Sequence, residues 1–125
     1  MTKTFLALSL FVSLLVAGCV TNTVTNLTAT EVPRSPTGMY RVEYQWDSSQ
    51  QTVRPNSIKP TVLVGFNQHE MKQVMKTANR FEAWVPIPAG QSEISYRFKV
   101  DYQYTAFGNP KNASKLSQDY KLIVK

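Results

Sequence analysis

A fold stapled by disulfide bonds is closed to this chain, because its 125 residues include a single cysteine, Cys19. Histidine is equally scarce. His69 stands alone beside Glu70, and neighbours on an extended strand point to opposite faces, so the two do not make one acid–base site. A zinc or calcium centre needs several convergent ligands, and only scattered carboxylates are on hand to join His69. The five glycines are spread along the chain, so there is no phosphate-cradling loop, and neither a nucleophile elbow nor a paired-carboxylate motif occurs. These absences exclude the common catalytic designs, and the chain reads as a non-enzyme without cofactor or metal. Long apolar runs are missing too: residues 5–17 offer about a dozen mostly apolar positions, short of the roughly 20 that a spanning helix requires. Amphipathic stripes at helical spacing are absent as well.

What that short apolar run does have is a cation before it, Lys3, and the motif Leu15-Val16-Ala17-Gly18-Cys19 after it. This arrangement resembles the lipobox of bacterial lipoproteins. The resemblance implies cleavage before Cys19, a diacylglyceryl thioether on its sulfur and palmitate-type acyl chains that together hold a membrane more firmly than one chain would. The alternative is an ordinary secretory signal in which Cys19 is incidental. Val20 rather than Asp at the second mature position implies, by the enterobacterial sorting pattern, a destination in the outer membrane.

Residues 1–18 are therefore expected to be a cleaved signal peptide, 19–36 a lipid-anchored tether and 37–125 one domain. The tether reading rests on Thr and Asn richness with Pro33 and Pro36, and at about 3.3 Å per residue it would hold the domain up to roughly 50 Å from the bilayer. A competing reading pairs residues 27–32 as a first edge strand. The formal charge of +6 is dispersed, which suits weak attraction to anionic envelope surfaces and not a nucleic-acid groove.

From Gly38 onward the dominant period is two. Tyr40, Val42, Tyr44 and Trp46 alternate with Arg41, Glu43 and Gln45, giving a strand with one large apolar face. Residues 61–67 form the next strand, with Val62, Val64 and Phe66 on one face. A weaker strand over 69–77 carries Met71 and Met75. Residues 80–87 put Phe81, Ala83, Val85 and Ile87 inward and Trp84 outward. Ile94, Tyr96, Phe98 and Val100 mark the strongest strand, and after a turn at Gly108-Asn109-Pro110 and a polar loop, Tyr120, Leu122 and Val124 close the sheet. Six or seven short strands between Pro, Gly and Asn turns predict an all-β, immunoglobulin-like sandwich; a small barrel is the structural competitor.

The segments Val62-Leu63-Val64-Gly65-Phe66-Asn67, Arg80-Phe81-Glu82-Ala83-Trp84-Val85-Pro86-Ile87-Pro88-Ala89-Gly90 and Tyr96-Arg97-Phe98-Lys99-Val100-Asp101 resemble the early-set immunoglobulin-like glycogen-binding modules, the family-48 carbohydrate-binding type, over residues 60–104. The resemblance implies two aromatics that stack on glucose rings. Those positions fall at His69 and Tyr104, and the glycine usual after the Val-Asp pair is Tyr102. Candidate ligand-binding residues are thus Tyr104, His69, Tyr102 and the outward Trp84, a large apolar surface of the kind that anchors interfaces. Trp84 packed beneath the tether or the 47–60 loop is the structural alternative. The function expected is a non-catalytic, lipid-anchored envelope protein presenting a structural or protein-binding module. The alternatives are a glucan-binding surface lipoprotein, and a subunit of a larger envelope assembly docking through a strand edge or the Trp84 face.

Overall fold

The computed structural model describes residues 20–125; the signal-peptide and Cys19 readings lie outside the described residues. Ten strands follow in order: β1 (Asn22–Asn26), β2 (Glu31–Val32), β3 (Met39–Ser48), β4 (Lys59–Val64), β5 (Asn67–Glu70), β6 (Lys72–Gln73), β7 (Arg80–Pro86), β8 (Glu93–Ala106), β9 (Asn109–Leu116) and β10 (Tyr120–Val124). A single 3-10 turn, Pro55–Ser57, interrupts the β3–β4 connection.

The strands form two sheets, one ordered β1-β3-β7-β6 and the other β2-β10-β8-β4-β5, with β9 paired to β8. Residues 99–101 of β8 pair with both β4 and β9, and Tyr96 pairs with both β4 and β10. It follows that β9 and β10 lie on the same side of β8, as two halves of one broken strand. In immunoglobulin notation the first sheet is A-B-E-D and the second G-F-C with an added C′ strand. The protein is an all-β, immunoglobulin-like sandwich.

The period-two rows build the core as expected. Tyr40, Val42, Tyr44 and Trp46 from β3 face Ile94, Tyr96, Phe98, Val100 and Tyr102 from β8, with Phe81, Val85, Leu122 and Val124 closing the layer, all buried. Burying such side chains contributes about 1.5–3 kcal/mol each. Tyr44 stacks on Phe98 at 4.6 Å between ring centroids, and Trp46 tilts against Tyr102 at 4.8 Å, so the aromatic rows interlock across the sandwich.

Five expectations are corrected. The segment read as tether is built into the domain: β1 pairs along its whole length with the end of β3, and β2 runs parallel to β10. The Thr28 hydroxyl extends the β1 ladder by donating to the Glu43 carbonyl at 3.1 Å and accepting from its amide at 2.9 Å. The polar loop after β8 is instead β9, an edge strand that shows solvent on nearly every side chain and so carries no apolar alternation; Pro110 and four lysines or asparagines among its residues suit an unpaired edge. The turn that precedes it is Phe107-Gly108, since Ala106 pairs with Asn109. The strand expected over 69–77 divides into β5 and β6 in different sheets, crossing at buried Met71. Phe66, expected inward, is fully exposed, because Val64 pairs with Asn67 and leaves Gly65-Phe66 as a two-residue turn.

Ser117 bridges the break between β9 and β10. Its amide donates to the Phe98 carbonyl at 2.8 Å, and its Oγ accepts the Phe98 amide at 2.8 Å. A side-chain oxygen thus takes the place of a missing ladder carbonyl, and the chain steps through 117–119 without orphaning the Phe98 N–H.

Candidate binding surface

The two ends of the sandwich are chemically different. At one end the chain enters: Thr21 donates its amide to Ser49 Oγ at 2.8 Å, and the Ser49 amide donates to the Thr21 carbonyl at 2.9 Å. Asn22, next along, receives the Trp46 indole N–H at 3.3 Å and the Tyr102 hydroxyl at 3.4 Å on its side-chain oxygen. Beyond Tyr102 the β8–β9 hairpin continues past the core. Its inner side is braced by Thr52 Oγ1, which donates to the Thr105 carbonyl at 2.6 Å, and by the Arg54 amide, which donates to the Gln103 carbonyl at 2.8 Å. At the tip, Phe107 is fully exposed at a φ of 52°.

The opposite end lies roughly 30 Å away, the span of the ten-residue β3. Here β4 turns into β5 through Gly65, whose φ of 59° makes a type II′ hairpin turn with Phe66 in its second central position. Phe66 stands at the mouth of an open groove of about 830 Å³, whose walls include Val64, Pro86, Pro88, Ile94 and Arg97. The aromatic is carried by a tight turn between paired strands, which fixes its backbone and leaves the ring in solvent.

The residues anticipated as ligand contacts are scattered. Tyr102 is buried against Trp46, inside the core. Tyr104, half-buried, packs on the edge of the core and bridges to Val53. His69 sits on the edge strand β5, where it pairs with Val62, the residue that also pairs with Phe98 on β8. Tyr104 lies about 20 Å further along β8 than Phe98, at ~3.3 Å per residue, so His69 and Tyr104 share no stacking platform. Trp84 lies on the outer face of the other sheet, 59% exposed, with Arg41 as its partner on β3. Neither the tether segment nor the 47–60 loop covers it. Arg41 is occupied by Glu82 at 2.6 Å and Glu43 at 3.0 Å.

Both fully exposed phenylalanines, Phe66 and Phe107, sit in two-residue loops, Gly65-Phe66 and Phe107-Gly108, between alternating strands. Two-residue glycine-containing loops are the hairpin signal, and both residues of such a loop point away from the sheet. Among the described residues no group of three His, Cys, Asp or Glu side chains is placed to hold a metal ion, and no helix is long and apolar enough to cross a membrane. Burial pushes the Tyr44 phenol far above its usual pKa, with the Asp101 charge adding to the shift; its hydroxyl lies inside the core, away from any groove, and has no hydrogen-bond partner.

No protein-family model matches the chain, and no curated protein matches it. Among solved structures, a murine protein described as CRIg superposes with a TM-score of 0.44 at 15% identity, covering 82% of this chain and 98% of that one. The strand order, and not this likeness, defines the sandwich.

Proposed function

We propose that the chain is a lipid-anchored cell-envelope protein, held in the membrane through Cys19, whose immunoglobulin-like sandwich is a non-catalytic module that docks a partner protein at the end carrying Phe66. The observation that carries this reading is the polarity of the domain. The chain enters at the Thr21–Ser49 end, and the exposed aromatic with its groove occupies the far end. A module anchored at one end presents the other to the compartment beyond, where an exposed ring on a rigid turn is the kind of residue that dominates interface energy. Glucan binding draws no comparable support, because Tyr104, His69 and Trp84 face three different surroundings.

The anchor is tested by feeding an alkyne palmitate analogue to a diderm bacterium expressing the full chain. Label on the protein, lost in Cys19→Ser, supports it; an unlabelled protein released to the periplasm contradicts it. The docking end is tested by crosslinking in those cells. Phe66→Ala should abolish a discrete crosslinked species that Trp84→Ala leaves intact, and the reverse pattern would move the interface to the outer sheet face.

A further inference from the structure

We infer that the tip of the β8–β9 hairpin is a second membrane contact: Phe107 enters the interface of the bilayer that holds Cys19, and Arg54 and Lys111 rest on its anionic headgroups. The inference rests on the lipid-anchor reading above and deepens it, since the anchor supplies the surface against which the hairpin is placed.

Reach is the first argument. With residues 22–26 paired into the sheet, no long tether separates Cys19 from the fold. Cys19 lies three residues before Asn22, so its backbone extends at most ~11 Å beyond that point. Asn22 is level with Tyr102, to which it is hydrogen-bonded, and the five residues from Tyr102 to Phe107 carry the hairpin roughly 17 Å further at about 3.3 Å per residue. The tip therefore reaches as far as the anchoring cysteine can, or beyond it. A bilayer holding Cys19 meets the hairpin.

Chemistry is the second argument. Phe107-Gly108 is a two-residue turn with φ of 52° and 78° at its two positions, the type I′ geometry that favours Asn or Gly at the first position. A bulky aromatic in the left-handed region is a sterically costly choice there, and its ring makes no compensating contact in the domain, being fully exposed. An aromatic held outward at such a position suits the boundary between headgroups and acyl chains, where membrane-surface segments bury Trp, Phe and Leu side chains.

Charge is the third. Arg54 is held against the hairpin by its Nε donating to Thr105 Oγ1 at 3.2 Å, and Lys111 on β9 pairs with Tyr104 on β8; neither takes part in an ion pair among the described residues. Cations held near an anionic membrane surface are attracted to it.

The test uses the mature acylated protein. If Cys19 is consumed by its lipid, Phe107→Cys and, separately, Phe66→Cys each supply one free thiol for an environment-sensitive dye. In vesicles of phosphatidylcholine with phosphatidylglycerol, the dye at 107 should shift to the blue and be quenched by nitroxide lipids labelled near the headgroup, while the dye at 66 stays in water. Intact mass, taken on the same samples, reports acylation independently. An acylated protein with a water-exposed dye at 107 overturns the hairpin contact and leaves the anchor standing. A protein without acyl mass overturns the anchor, and the hairpin contact with it.

Discussion

Asn26 donates its side-chain amide to the Tyr96 hydroxyl at 2.9 Å, tying the first strand of one sheet to the longest strand of the other. A segment that hydrogen-bonds across the sandwich in this way is structural. Asn26→Ala leaves the Tyr96 hydroxyl, at the margin of the core, without that partner, and should lower stability by about 1–2 kcal/mol. Urea unfolding checks this, and an unchanged midpoint would return residues 20–28 to the role of tether.

Tyr44 makes the opposite case. The hydroxyls of Tyr40, Tyr96 and Tyr102 each meet a partner, in Ser35, Asn26 and Asn22, whereas that of Tyr44 is buried with none. Tyr44→Phe removes an unsatisfied polar group and should stabilise the domain by about 1 kcal/mol. The folded-state pKa of Tyr44 is raised from 10.0, so its contribution to stability is fully present below pH 10 and is lost as the pH rises above it, where the unfolded chain ionises first. The variant should lose that part of the alkaline decline; equal slopes for both proteins above pH 10 would contradict the burial of this hydroxyl.

Ser117→Ala deprives the Phe98 amide of its acceptor and should cost about 1–2 kcal/mol. Hydrogen exchange localises the effect: the Phe98 amide should lose protection selectively. Protection unchanged at that amide would show that another acceptor serves it.

How much of this was legible in the sequence depended on burial. β3, β7, β8 and β10 announced themselves because each buries alternate residues, and Tyr44, Phe81, Phe98 and Leu122 lie where alternation put them. β1 and β9 did not, because they are edges whose pairing is written in backbone hydrogen bonds and polar side chains such as Asn26 and Thr28. Tyr102 and Tyr104 continued the apolar row of β8 and lie in the core and at its rim. Phe66 continued the row of β4 by parity alone; the glycine beside it, which turns the chain, overrode the parity.

Phe107 couples turn strain to the proposed membrane contact. Phe107→Gly relieves a left-handed phenylalanine in a type I′ turn, so the melting temperature should rise even as vesicle contact at the tip weakens. A fall in melting temperature would mean that the ring packs on the domain, against its full exposure.

Intact-mass spectrometry of the protein extracted from membranes of a diderm bacterium reads whether this sandwich sits on the proposed lipid anchor at Cys19. A lipid anchor there gives a chain that starts at Cys19 and carries the added mass of a diacylglyceryl group, with or without a further acyl chain. A mature chain that starts elsewhere, or one that starts at Cys19 with a free thiol, would contradict it.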